Sequence, residues 1–413
     1  MRIGAFWRVL AAQGLSSFGS SMSTVALGFM VFKLTGSVAH MGGVMAVTTF
    51  PLIVTSWIGG AVLDRFSSKQ VMVAADLARA VLIFLMPFLA EAATSLIYVI
   101  AGLIGVCSAF FNPGQIKLVA ELVDSDSLVK ANSYVSVSQT GAELAGYLAA
   151  GVVVTVAGYP PAFFTDAGSY VLSAILLFGL PRPQPREGVP ASVLALVRES
   201  PAVFMRLWRH PALRTNLLFG VFALLIFMTA VPNAYALALE VFDQGAAGVA
   251  ALEVAISCGL VVGGIIMSRL ALKRDKNTYV FASFLAVAVC FAGIYLSKFF
   301  WLSIALMGLA GVANVAMFVP SITMFQQAST EGDRGRMIAV RAGFGQMGST
   351  GGLLLGGILG EELGIARMFL VGSLALLALS LIIYLPYKLG AGGRAQAAWT
   401  AAAEQAILEE DTR

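Results

Sequence analysis

Apolar residues run along this chain in long blocks and do not alternate with polar ones. Phe18–Phe32, Met41–Leu63 and Val99–Phe111 are almost free of charge. A bilayer core about 30 Å thick takes roughly 20 apolar residues per helix. Barrel strands would alternate with period two, and these blocks do not. Lipid offers no water to peptide groups, so such blocks must be helical. The pattern predicts helices over 7–33, 39–63, 71–91, 95–116, 131–157, 161–181, 213–240, 246–270, 278–297, 299–327, 336–360 and 366–387. Turn-forming residues separate them, as at Thr35-Gly36-Ser37, Gly158-Tyr159-Pro160-Pro161 and Pro181-Arg182-Pro183-Gln184-Pro185. The longest polar stretch, 182–212, divides the chain into a six-helix bundle over 1–181 and another over 213–387, with a tail over 388–413. Inside that linker, Ala191–Trp208 can form an amphipathic surface helix. It would carry Val193, Leu196, Val197, Val203, Phe204 and Leu207 on one side and Arg198, Arg206 and Arg209 for anionic headgroups.

Composition supports an all-α integral membrane protein. Hydrophobic residues make up 59% and charged residues 12%, against roughly 45–50% and about 25% in soluble domains. Charge then sets the orientation. Lys and Arg number 22 on the side of the N-terminus, the central linker and the tail, against Lys33, Lys298 and Arg367 on the other, with Arg79 inside a helix. The expectation is a multi-pass protein of the bacterial inner membrane with both termini cytoplasmic. The net charge of +4 reflects that bias and does not point to nucleic acid. Arg2 and Arg8 precede a long apolar run without a small-residue cleavage site, which reads as helix one and not as a signal peptide.

Enzyme chemistry finds little support. Cys107, Cys258 and Cys290 fall inside helices, with neither a disulfide framework nor metal-ligand spacing. His40 and His210 are the only histidines and build no triad or zinc site. Met22, Met30, His40, Met41 and Met45 gather near one membrane face, a clustering that sixteen methionines produce by chance. Gly343-Phe344-Gly345-Gln346-Met347-Gly348 fits a dinucleotide fingerprint but follows no strand, so it reads as helix packing. No metal or cofactor is expected.

The two halves repeat. Helix two ends Gly59-Gly60-Ala61-Val62-Leu63-Asp64-Arg65-Phe66-Ser67-Ser68-Lys69, and helix eight ends Gly263-Gly264-Ile265-Ile266-Met267-Ser268-Arg269-Leu270-Ala271-Leu272-Lys273, an offset of 204. Gln139-Thr140-Gly141 returns as Gln346-Met347-Gly348, and Gly105-Val106 as Gly311-Val312, each of the latter followed by a proline (Pro113, Pro320). Parallel six-helix repeats mark one large transporter architecture. The loop from Gly60 to Lys69 resembles the signature Gly-x-Leu-Ala-Asp-Arg-x-Gly-Arg-Lys of the major facilitator superfamily, with Gly60, Asp64, Arg65 and Lys69 matching and Ser67 and Ser68 departing. The stretches Gln13-Gly14-Leu15-Ser16, Ala75-Asp76-Leu77-Ala78-Arg79-Ala80, Lys130-Ala131-Asn132 and Asp333-Arg334-Gly335-Arg336 are most similar to the branch with macrolide exporters, siderophore exporters and lysophospholipid flippases.

The resemblance implies the major facilitator fold, twelve transmembrane helices in two pseudo-symmetric six-helix bundles. It implies that Asp64 docks at the N-terminus of helix eleven, near Met337–Arg341, closing the cytoplasmic side with Arg341 as a salt-bridge partner. A carboxylate is favoured at the positive end of a helix dipole. Two departures weaken a carried-over proton antiport. Helix four has Ala101 and no arginine, and helix five has Gly146-Tyr147 where exporters often carry Gly-Pro.

Other candidates come from the residues themselves. Asp76 and Arg79 form an i,i+3 pair of opposite charge, read as a structural ion pair supporting the gate. Glu143 stands alone near mid-membrane in helix five, where a carboxyl marks function, and Gln139, Glu143 and Tyr147 share one polar face. Asp166 and Glu253 lie nearer the outside, as second ion sites at the cavity mouth. Gln13, Ser17, Ser20 and Thr24 form one stripe on helix one. With Asn233 and Tyr235 after the Pro232 kink, Asn314 and Gln346, they are expected to line the substrate cavity, with Phe18, Phe110 and Phe227 supplying apolar contacts. The expected function is secondary active export of an amphipathic drug- or siderophore-like small molecule by alternating access, coupled to a proton or another ion. A flippase for (lyso)phospholipid or an uncoupled facilitator of the same fold stands beside it. The expected partners are substrate, coupling ion and membrane lipid, around a monomer.

Overall fold

A computed structural model describes residues 3–65, 67–123, 127–180, 205, 208, 209, 211–270, 276–327 and 334–389, with the backbone alone at 3, 56–65, 129 and 334–336. The described residues form twelve long helices and no strand. They are α1 (Ile3–Thr35), α2 (Val38–Arg65), α3 (Ser68–Ala92), α4 (Thr94–Leu122), α5 (Leu128–Ala157), α6 (Pro160–Phe178), α7 (Pro211–Ala236), α8 (Gly245–Arg269), α9 (Lys276–Leu296), α10 (Phe300–Gln327), α11 (Arg334–Leu363) and α12 (Ile365–Leu379). A π-helical turn, Leu237–Val241, extends α7, and another, Ser380–Tyr384, carries α12 on into Leu385–Leu389. The surface helix expected over 191–208 lies, save for Met205 and Trp208, outside the described residues.

Eleven of these helices are long and apolar enough to cross a membrane. α11 falls short because glycines occupy much of it. They mark a face that packs closely on protein, while Leu354, Leu355 and Ile358 on the same helix stay exposed. A Cβ placed at Gly348, Gly352 or Gly356 would lie 2.2–2.5 Å from backbone atoms of Val221, Leu225 or Thr229 on α7. Only glycine allows backbones this close, and helix association in lipid relies on such approach. The outer surface is correspondingly apolar, with Val156 82% and Ile382 71% exposed.

Packing repeats between the halves. In the first, α1 packs on α5 and α6, α2 on α4, and α3 on α4 and α6. In the second, α7 packs on α11 and α12, α8 on α10, and α9 on α10 and α12. The repeated glycines do repeated work. A Cβ at Gly105 would sit 2.2 Å from the Thr48 carbonyl oxygen, and one at Gly311 would sit 2.5 Å from that of Ile256. The two bundles meet mainly through α2 against α11 and α5 against α8.

Helices alternate in direction. One end of the bundle holds the short connections α1–α2, α3–α4, α5–α6, α7–α8, α9–α10 and α11–α12, and we call it the distal end. The other holds the start of α1 and, among the described side chains, Arg8, Lys69, Lys117, Lys130, Arg214, Arg269, Lys276, Arg341 and Lys388, and we call it the basic end.

Candidate functional site

Four polar side chains from the two halves converge where α5 meets α8 and α7. Glu143 and Tyr147 stand one turn apart on α5. Tyr235 of α7 donates its hydroxyl proton to Glu253 Oε1 on α8 at 2.5 Å. Glu143 and Glu253 lie within electrostatic reach of one another, and Tyr147 stands close to both acids. Tyr235 is buried, while Glu143, Tyr147 and Glu253 keep partial exposure. The Tyr235 ring fits against α1 because Gly28 has no side chain, since a Cβ there would lie 2.4 Å from the ring. The sequence singled out all four residues but distributed them between ion coupling and substrate lining. The structure brings them into one cluster spanning both halves.

Toward the basic end, each half holds an amide-rich network. In the first, Gln139 Nε2 on α5 donates to Gln13 Oε1 on α1 at 3.2 Å and to Gln115 Oε1 on α4 at 3.4 Å. Gln115 carried no sequence signal. In the second, Asn216 Nδ2 donates to Asn277 Oδ1 at 2.9 Å, and Ser321 Oγ donates to Asn216 Oδ1 at 2.6 Å. Arg341 donates to Ser321 Oγ through Nε at 3.1 Å and Nη2 at 2.9 Å. This network borders a cavity of about 390 Å³ lined by α7, α9, α10 and α11, with Asn314 and Gln346 in its wall.

The distal end is closed between the halves. Glu361, near the end of α11, accepts hydrogen bonds through Oε2 from Ser37 Oγ at 2.5 Å and from the Ala39 N–H at 3.0 Å. The carboxylate thereby caps the first turn of α2, whose N–H groups have no intrahelical partner. One turn further in, Gly42 and Gly357 meet so closely that a Cβ on Gly357 would lie 3.1 Å from Gly42 Cα. Thr49 and Thr350 hydroxyls bond at 3.0 Å. Gly151 on α5 sits against Ala247 and Ala250 on α8. Sequence reading placed nothing at Glu361.

Other expected site residues sit elsewhere. Asp76 and Arg79 form a buried ion pair within the first half, where Ser173 Oγ also donates to Asp76 at 2.7 Å. The Arg79 guanidinium lies between the rings of Phe111 at 4.2 Å and Tyr170 at 4.3 Å. Asp166 is not at a cavity mouth. It is 1% exposed and packed in the α1–α6 seam beside Gly19 and Ser169. Ser20 turns to the Tyr170 hydroxyl at 2.8 Å, and the exposed Thr24 bonds the Ser20 carbonyl at 2.8 Å. Ser17 is partly exposed beside them. Asn233 is fully buried and donates to the Thr229 and Gly356 carbonyls, both at 2.8 Å, so it joins α7 to α11 and lines no cavity. Lys69 bonds the Leu180 carbonyl and lies over the Phe178 ring, tying the α2–α3 junction to α6. The side chains of Asp64 and Arg65, with Gly60, fall outside the described residues.

Known proteins resemble this chain along nearly its whole length. Residues 9–308 and 254–405 match the family model of the Major Facilitator Superfamily. The uncharacterized MFS-type transporter YfiS of Bacillus subtilis (strain 168) is 25% identical over 399 residues, 94% of either chain. Multidrug efflux pump Tap of Mycolicibacterium fortuitum is 23% identical over 93% of this chain and 96% of its own. Macrolide efflux protein A of Streptococcus pyogenes is 18% identical over 91% and 94%. Among solved structures, the nucleoside transporter NupG superposes with a TM-score of 0.73 at 14% identity, covering 93% of this chain and 100% of that one. A POT family transporter follows at 0.71 and 11% identity, over 92% and 95%. These likenesses agree with a transporter and not an enzyme. This chain is a member of the Major Facilitator Superfamily.

Proposed function

We propose that the protein is a secondary active transporter that exports an amphipathic small molecule by alternating access, with a proton exchanged at the Glu143–Glu253 pair. The observation that carries this reading is that two carboxyls from opposite halves lie within electrostatic reach of one another, beside Tyr147 and Tyr235. Two neighbouring carboxyls do not ionise independently, because each charge disfavours the other. A group that binds one proton while the halves are together, and changes that binding as they part, links protonation to conformation. The similarity to Macrolide efflux protein A and to Multidrug efflux pump Tap supports export and an amphipathic drug-like substrate.

In this reading the basic end is cytoplasmic, both termini lie inside, and the closed distal end makes the described conformation inward-facing. Closure of the inside brings Asp64 to the start of α11. The experiment is reconstitution in liposomes with an imposed pH gradient and cationic, neutral and anionic amphiphiles in turn as cargo. Glu143→Gln should abolish gradient dependence while leaving substrate binding in place. Full gradient-driven transport by Glu143→Gln and by Glu253→Gln would remove the proton-coupling role.

A further inference from the structure

We propose that the second-half cavity is a binding site for the anionic head of an amphiphile, a carboxylate or a phosphate, held by Arg341. Arginine is a permanent cation, and Arg341 stands in the wall of the cavity of about 390 Å³, a size suited to a small ligand. Its described hydrogen bonds go to a neutral hydroxyl, and none of the described carboxylates pairs with it. Two of its N–H groups point at one acceptor, Ser321 Oγ. That hydroxyl gives its own proton to Asn216, so it stays an acceptor toward the guanidinium. The Phe318 ring lies 5.0 Å beneath. The fork is therefore fixed in place before any ligand arrives, and its remaining donors match the planar oxygens of carboxylate or phosphate.

The rest of the cavity suits the other end of such a molecule. The amides of Asn314 and Gln346 share its wall with Arg341, and Leu224 and Met228 extend it as apolar surface. Gly220 opens the side of α7, since a Cβ there would meet nothing within 4 Å. The acid cluster is well separated, because Tyr235 follows Asn216 by 19 residues on α7, roughly 28 Å of helix. Negative charge at Glu143 and Glu253 thus does not oppose an anion at Arg341. The Asp64 docking proposed above would use the same end of α11, so the anion site belongs to the state open at the basic end. The inference rests on the transporter reading only in taking the ligand to be cargo, and binding is measured without a gradient so that the two can fail separately.

The test uses the full chain in nanodiscs of neutral lipid and calorimetric titration with four amphiphiles. Dodecyl phosphate supplies a free anion, lysophosphatidylglycerol an anionic lipid head, dodecyltrimethylammonium a cation, and dodecyl maltoside a neutral control. Both anionic probes should bind more tightly than the other two. Arg341→Gln should weaken them about tenfold or more, equivalent to 1.4 kcal/mol, and Arg341→Lys, which keeps the charge and loses the fork, should restore only part of the affinity. Gly220→Leu leaves the charge intact and fills the cavity, so it should lose binding even if Arg341→Gln fails to fold. Preference for the lysolipid makes membrane lipid the source, and preference for dodecyl phosphate makes it a soluble anion; either supports the site. Equal binding of all four amphiphiles, or anion binding unchanged by both Arg341→Gln and Gly220→Leu, overturns it. Anion binding that persists without gradient-driven transport counts against the proposed function and not against this site.

Discussion

The contact at Glu361 gives a measurable prediction about which end of the protein is open. Glu361→Gln keeps the size of the side chain and one acceptor oxygen, and removes the charge. The two hydrogen bonds concerned run from Ser37 Oγ at 2.5 Å and the Ala39 N–H at 3.0 Å. Bonds to a charged acceptor contribute about 1.5–3 kcal/mol when shielded, and a charge at a helix N-terminus about 0.3–1 kcal/mol. Glu361 is exposed, so solvent screening reduces the total toward about 1 kcal/mol. That amount shifts the balance between distal-closed and distal-open states about fivefold. Spin labels at Leu34→Cys on α1 and Arg367→Cys on α12, in a background lacking Cys107, Cys258 and Cys290, would report it. Electron–electron resonance distances in nanodiscs should lengthen for a larger share of molecules in Glu361→Gln and in Ser37→Ala. The parent protein should move partway in about 1 M salt, where the screening length is about 3 Å. Distance distributions unchanged in both variants would refute the latch.

Three further outcomes follow from packing. Gly357→Leu places a Cβ 2.8 Å from the Val38 carbonyl oxygen, so the same spin labels should separate more than in Glu361→Gln, and transport should stop. Gly19→Ala puts its methyl 2.2 Å from Ser169 Oγ and 2.9 Å from Asp166 Cα; thermal unfolding in detergent should show a loss of about 1–3 kcal/mol, as overpacking does. Asp76→Asn leaves the Arg79 guanidinium buried without its counter-charge and should cost about 3–5 kcal/mol, with much of the loss recovered in Asp76→Leu/Arg79→Met; a lower unfolding temperature in the double variant than in Asp76→Asn would contradict this.

The helices were legible because charge-free blocks of membrane length have one structural outcome. Their repetition was legible too, since Gly105 and Gly311 hold equivalent seams, α2–α4 and α8–α10. The candidate site was legible only in pieces. Glu143 and Glu253 each stood out as a carboxyl inside a helix, but their meeting depends on how α5 lies against α8, and spacing along one helix carries no such information. The stripe from Gln13 to Thr24 shows the same limit. Periodicity put these residues on one face without naming the neighbour, and Ser20 in fact bonds Tyr170. Glu361 was silent because a carboxylate near a helix end is ordinary, and its partner Ser37 is 324 residues away.

The glycine contact between α2 and α11 lies close to one end of both helices, and that position has a mechanical consequence. From Gly357 back to the first residue of α11 at Arg334 is 23 residues, a lever arm of about 35 Å. A rocking of about 15°, the scale of known rigid-body transitions, would carry its far tip through about 9 Å. At the distal end the same rocking moves atoms less, yet enough to part Ser37 from Glu361 and to lengthen the distance between the ends of α1 and α12. A bond as short as that between Ser37 and Glu361 can therefore govern a passage wide enough for cargo at the opposite face.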